Sequence, residues 1–493
     1  MVAVMATTLL CLTRHVAQPR IISALRSPRV IALSTNAATA TGVAGTVELK
    51  GGKARLFKVG GNPIVYGGAV GRVEGRPDAG DIVDVVDGAG GLVGWGVFNP
   101  HSMYRVRLLA TDEASLLEHR DIHLLIRQRI GQAQKLRSGL GLPSDATTAY
   151  RLVNSEGDRL SGLTVDVFGT TAVAVASALW LEQRRDEVVA ALSELPGVTD
   201  VVWRRSDGRL QQDGWKSPAK QAKDAKEAEP AMQTAEEKDT AYASRRKDSE
   251  VEIAESGLKF FVAPALGQKS GFYCDQRDNR RWLAEVCKGK RVLDLFCYSG
   301  GFAISAAAAG AASCVGVDSS AFALELAARN AQLNGLDARC SFVQADIHKY
   351  LKGHQGGKGG EAGADGGKAA ATVDTGAYDV VICDPPKLAP SVKDLPRATR
   401  KYKQLNSGAI RAISKEGGIL MSFTCSAAMT QSGGFVKMLH EAAQQEGRAL
   451  TLLRVSGAAR KLPALSLSLS LSRSLSLSLS LSLSPCPEPH PPS

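Results

Sequence analysis

Arg291-Val-Leu-Asp-Leu-Phe-Cys-Tyr-Ser-Gly-Gly-Phe302 decides the fold. Its first six residues form an apolar run of strand length that carries one carboxylate, Asp294. A glycine pair follows, and then the Ala-rich stretch 302–309, which has helix composition. Downstream the same alternation repeats. Strand-like runs at 313–317, 342–343, 378–383 and 419–424 are separated by helical stretches, including 321–333, which ends at Asn334-Gly335. Strands alternating with helices predict an α/β fold, a Rossmann-like doubly wound parallel sheet whose ligand sits at the C-terminal strand edge.

The residues at those strand ends carry chemistry. The turn after Asp294 is not the dinucleotide fingerprint GxGxxG, so a dehydrogenase reading is poor. An acid inside the strand instead fits the cationic sulfonium and amino-acid end of S-adenosylmethionine. Asp318 ends the second strand, where a carboxylate accepts hydrogen bonds from both ribose hydroxyls. Asp346 ends the third, placed for the adenine amino group. One strand-terminal Asp is an ordinary helix cap, but acids on three successive strands are far more specific.

Asp384-Pro-Pro-Lys387 ends the fourth strand. Two prolines stiffen this loop and would fix Asp384 toward the Watson–Crick edge of a flipped base. Cys425, in Thr424-Cys425-Ser426, ends the fifth strand beside the same mouth. Cytosine C5 is a poor nucleophile until a thiolate adds to C6, and Cys425 is placed to be that thiolate.

Upstream, 47–109 is a block of short Gly-punctuated apolar runs that predicts a small β-barrel. Residues 110–214 read as a central α+β domain, with a helix over 115–137 and strands at 163–168, 171–176 and 198–204. A charged linker, 215–249, and a Gly-rich flexible insertion, 353–376, separate or interrupt these units. The net charge of +11 favours a polyanionic partner. Nine cysteines without a CxxC pair or a Cys/His cluster predict no metal site, and no apolar run is long enough to span a membrane.

The ends of the chain do not read as fold. The first 46 residues are rich in Ala, Ser, Thr, Val and Arg, with no acid. They predict an organelle transit peptide, plastid favoured over mitochondrion. Residues 457–493 are dominated by a Ser-Leu repeat, which one frame of a two-base repeat would encode. They read as a disordered low-complexity tail, the mark of read-through, alternative splicing or a misplaced gene boundary.

Together the motifs resemble the bacterial 23S rRNA cytosine-5 methyltransferase I family. The string Gly267-Gln-Lys-Ser-Gly-Phe-Tyr-Cys-Asp-Gln-Arg-Asp-Asn-Arg280 is similar to that family's signature ahead of the Rossmann-like domain, here 250–456. The resemblance implies that 47–109 is a PUA-like RNA-binding barrel and that the partner is RNA, ribosomal in origin. It implies S-adenosylmethionine held by Asp294, Phe296, Ser299, Gly300, Gly301, Asp318 and Asp346, bordered by Gln276 and Arg277. Asp384 would orient the base, and Cys425 would attack it. Lys53, Arg55, Lys58, Arg105 and Arg107 are the candidate phosphate contacts. Two readings compete with cytosine-5 methylation: methylation of an RNA nitrogen, and a noncatalytic RNA-binding or ribosome-assembly factor. One departure stands out. The family's closing segment is replaced after the Arg454-Val-Ser-Gly457 region, so the final strand, which inserts antiparallel between the fifth and sixth, is expected to be missing.

Overall fold

A computed structural model describes residues 42–111, 120–216, 250–265, 270–352, 375–457 and 477–485. The expected transit segment, linker and insertion lie wholly or mostly outside these ranges.

The first unit is a six-stranded sheet of β1 (Gly45–Leu49), β2 (Ile64–Tyr66), β3 (Val70–Gly75), β4 (Ile82–Val86), β5 (Leu92–Phe98) and β6 (Tyr104–Ala110). The order is β2-β6-β5-β4-β1-β3. Val65 on one edge strand and Val70 on the other pack into the same core around Val47, Phe57, Val83 and Val106, so the sheet rolls upon itself. The central unit is a four-stranded sheet, β10-β9-β8-β7, from β7 (Ala149–Asn154), β8 (Leu163–Phe168), β9 (Thr171–Ala176) and β10 (Asp200–Arg205). The helix Ile122–Gly139 covers it, started by Asp121, whose side chain accepts from the His123 and Leu124 N–H groups.

A hairpin of β11 (Val251–Glu255) and β12 (Leu258–Val262) leads into the main sheet. That sheet comprises β13 (Arg291–Leu295), β14 (Ser313–Asp318), β15 (Cys340–Gln344), β16 (Val380–Cys383), β17 (Gly418–Thr424), β18 (Arg448–Ser456) and β19 (Leu477–Pro485), in the order β15-β14-β13-β16-β17-β19-β18. The pairs among β13 to β17 are parallel. Helices bury both faces: Gly301–Ala308 lies over Val292, Cys314 and Ile382, while Leu395–Ala412 and Gly434–Gln445 cover Leu293, Val381 and Leu420.

The expectation of a disordered tail and a missing strand is corrected here. Part of the Ser-Leu repeat, β19, lies antiparallel between β17 and β18, in the place expected of the absent segment. The physical reason is that the slot offers two ladder edges and asks of its occupant only a backbone able to pair on both sides. A period-two sequence meets that demand however low its complexity.

Candidate active site

β13 ends in a strained turn. Phe296 and Tyr298 have φ of +66° and +49°, in the left-handed region that non-glycine residues avoid at a cost of about 1–3 kcal/mol each. Gly300, at φ +79°, has no such cost, and a Cβ there would lie 3.1 Å from that of Ala327. Asp294 holds the turn to the next helix. One of its oxygens accepts the Ala303 N–H at 3.1 Å. The other is buried with no hydrogen-bond partner.

Burial pushes the Asp294 carboxyl up to about 8, against the pull of the Ala303 N–H, and the charges of Asp384 and Asp318 push the same way. Three acids thus converge on one strand edge with too little positive charge among them. A cationic ligand relieves that repulsion, and the orphaned oxygen can accept a donor the protein does not supply. The donor set therefore fits S-adenosylmethionine. Asp318 keeps its place by accepting the Tyr298 and Ser320 N–H groups, each at 3.0 Å. Ser299 and Gly301 are buried in the same turn. Asp346 is exposed, and its side chain accepts the Lys349 N–H at 2.9 Å in the manner of a helix cap.

The pH behaviour follows with a definite sign. In the cofactor-free folded chain Asp294 keeps a proton up to about pH 8, whereas the unfolded chain loses it near 3.8. Stability should therefore fall as pH rises across that window, by at most about 1.4 kcal/mol per unit, and level above it. Cofactor affinity should rise with pH up to about 8, since the cation favours the ionised acid. Denaturant titrations from pH 5 to 9 and calorimetry in two buffers test this. A wild-type profile identical to that of Asp294→Asn would count against it.

Gln276 is reassigned by the structure from the cofactor border to the base-binding side. Its amide donates to Asp384 Oδ2 at 2.9 Å, across 108 residues of sequence. Asn279 donates to Gln276 Oε1 at 2.7 Å, and Ser456 at the end of β18 donates to Asn279 Oδ1 at 2.8 Å. This relay fixes the orientation of Asp384 from the far edge of the sheet. Arg277 is corrected as well: its guanidinium reaches the Ala149 carbonyl of the central domain at 3.4 Å.

Cys425 follows β17 and is half-buried, whereas Cys383 is fully buried and its thiol is pushed well above the ordinary range by that burial. A clasp of hydroxyls fixes the Cys425 turn. Thr424 donates to the buried Tyr402 phenol oxygen at 3.0 Å, and Tyr402 lies 3.1 Å from Ser426 Oγ. The same Ser426 oxygen accepts the Ala389 N–H at 3.0 Å, tying the turn to the loop after Asp384.

Tyr273 was quoted within the signature string but not singled out as a site residue. Its ring meets that of Tyr298 edge-on at 5.4 Å. Burial first, and then the Asp384 charge, raise its phenol, which also feels Cys425 and Asp318. Only packing reveals that role.

The proposed phosphate contacts divide. Lys53 and Arg55 are exposed. Lys58 pairs with Asp87 at 3.0 Å. Arg105 is half-buried, donates to the Asn99 and Pro100 carbonyls and lies over the Phe98 ring. Arg107 contradicts the expectation. It is buried between barrel and central domain, donating to Ser161 at 2.8 Å and lying 3.4 Å from Asp213, so its charge is already satisfied. Among the described residues no group of acids, histidines and cysteines could hold a metal ion, and no helix is long and apolar enough to cross a membrane.

The strand order, the strained turn and the acidic strand edge define an S-adenosylmethionine-dependent methyltransferase carrying an N-terminal PUA-like domain. The corresponding families match residues 217–429 and 47–111. Two solved structures share the fold at a TM-score of 0.65 and 20% identity, over 89% of this chain and nearly all of theirs. One is an S-adenosylmethionine-dependent methyltransferase from Streptococcus mutans, the other a methyltransferase complexed with SAH. The chain is 33% identical over 406 residues to ribosomal RNA large subunit methyltransferase I of Escherichia coli, strains O139:H28 and K12 among them, covering 82% of this chain and 91% of theirs. It belongs to the ribosomal RNA large subunit methyltransferase I family.

Proposed function

We propose that the chain methylates C5 of a cytosine in organellar large-subunit rRNA, plastid ahead of mitochondrion. The observation that carries the chemistry is Cys425, a half-buried thiol on a clasped turn whose clasp also holds the Asp384 loop. S-adenosylmethionine, when bound, supplies an electrophilic methyl group. The protein's part is to make C5 nucleophilic. Asp384, aimed by Gln276, accepts a hydrogen bond from the base edge. The Cys425 thiolate adds to C6, forming an S–C bond and moving electron density to C5. After methylation a base takes the C5 proton, the ring double bond re-forms, and the thiolate leaves. The rRNA relatives and the PUA-like barrel support the substrate, and the acid-free basic leader supports the organelle.

Cells lacking the protein should lose one 5-methylcytosine from an organellar large-subunit rRNA, read by bisulfite sequencing and nucleoside mass spectrometry. Loss of a nitrogen-methylated base instead would transfer the assignment to RNA nitrogen methylation. Unchanged rRNA in every compartment would remove the reading.

A further inference from the structure

Away from the cofactor turn, barrel and central domain enclose a cavity of about 370 Å³ that reaches the segment before the helix Arg277–Val286. Its walls include Tyr66 and Met103 of the barrel, Ser206 and Arg209 of the central domain, and Ser270 and Asp275 of that segment. The volume is enough for a guest of small-molecule size. Asp275 directly precedes Gln276, whose amide holds Asp384, so the cavity abuts the back of the base-orienting relay.

The charges here are not balanced alike. At the floor, Arg107 faces Asp213, and Arg151 pairs with Asp166, which also accepts from Ser270. Arg209 differs: among the described residues it has no carboxylate within ion-pair distance. Neither does Lys387, the exposed lysine that closes Asp384-Pro-Pro-Lys387. These two cations approach each other from different domains. Partial desolvation, and next the Arg209 charge, hold the Lys387 ammonium below the ordinary lysine range, while Cys425 pulls it back up. Two like charges converging without a counterion cost free energy that a bound anion would relieve. On the opposite wall Tyr66 and Met103 are 38% and 59% exposed, and Tyr66 is braced edge-on by Tyr104 at 5.4 Å. An exposed, braced ring beside unpaired cations is how proteins grip single-stranded nucleic acid, by stacking the base and neutralising the phosphate.

We propose that this cavity receives the nucleotide adjoining the target in the RNA strand, with its phosphate between Arg209 and Lys387 and its base against Tyr66 and Met103. The assignment rests on the RNA methyltransferase reading above. It makes Arg209 and Tyr66 positioning residues that hold the strand while the target base turns toward Cys425.

The test uses the full chain, S-adenosylmethionine and a fragment of organellar large-subunit rRNA. Arg209→Ala should raise KM for RNA roughly tenfold and reduce the log–log salt slope of binding by about 0.7, the share of one phosphate on a single strand. The kcat and the cofactor affinity should stay near wild type, and Arg209→Lys should recover most of the loss. Tyr66→Ala should raise KM roughly five- to a hundredfold without changing the salt slope, because stacking releases no counterion. An active wild type with unchanged KM and salt slope in Arg209→Ala, or unchanged KM in Tyr66→Ala, would overturn the subsite and leave the enzyme reading intact. Equal loss of cofactor and RNA binding in both alanine variants would make these residues packing elements and also overturn it. A wild type that binds cofactor but methylates no rRNA fragment would overturn the enzyme reading and the subsite together.

Discussion

Replacing Cys425 by Ala should lower methyl transfer by roughly a thousandfold or more, the scale on which removal of an enzyme nucleophile is felt. Binding should hardly change, because the thiol acts only after the base is in place. The surrounding clasp of Tyr402, Thr424 and Ser426 uses hydroxyls and does not depend on the Cys425 side chain, so the turn should keep its shape. Cofactor and RNA titrations of the variant would check that separation. Cys383→Ala is the matching control. That thiol is buried in the sheet core and pushed toward the neutral form, so its loss should leave activity and cost only modest packing. RNA carrying 5-fluorocytosine adds a direct readout. Fluorine in place of the C5 proton blocks the step that lets the thiolate leave, so wild-type protein should accumulate as a covalent RNA adduct resistant to denaturant, and Cys425→Ala should not. An active alanine variant with no adduct in the wild type would falsify the thiolate mechanism and favour a nitrogen target.

A chain ended after Gly457 should be less stable by at least about 4 kcal/mol and at least tenfold less active. β17 is a central strand whose ladder from Gly418↔Leu483 to Thr424↔Leu477 would open, and β18 has β19 as its one strand partner. Each exchanged backbone hydrogen bond contributes roughly 0.5–1.5 kcal/mol, and more where the freed group stays buried. The catalytic loss has its own route. Ser456 is the last residue of β18 and the first donor in the relay through Asn279 and Gln276 to Asp384. A loose β18 leaves Asp384 poorly aimed. Leu481→Pro should reproduce much of the damage in the full-length chain, since residue 481 is opposite Leu420 on one side and Leu452 on the other and proline removes a ladder donor. Denaturant midpoints and hydrogen exchange of the 418–424 and 448–456 amides would report both variants. Equal stability and exchange in the truncated and full chains would show that β19 contributes nothing to the sheet.

The sequence by itself determined the order of elements and most of the strand edge. Buried parallel strands are short apolar runs, helices show their own period, and a chain that alternates them has few topologies available. Asp294, Asp318, Asp384 and Cys425 were legible because each is within or just after such a run. The tertiary structure alone decided what those residues touch. Gln276 meets Asp384 across 108 residues, and a hydrogen bond over that distance leaves no local trace in composition or periodicity. Arg107 looks like any basic residue on a barrel until the central domain supplies Asp213 and Ser161, because burial depends on what packs above a strand. The Ser-Leu repeat marks the clearest limit. Its composition reads as disorder, yet pairing in a sheet is a demand on backbone and on period two, and the open edges of β17 and β18 supply the partners. A two-residue slip would put every Ser on Ser and every Leu on Leu, so the repeat carries no register of its own, and the slot it fills must provide it.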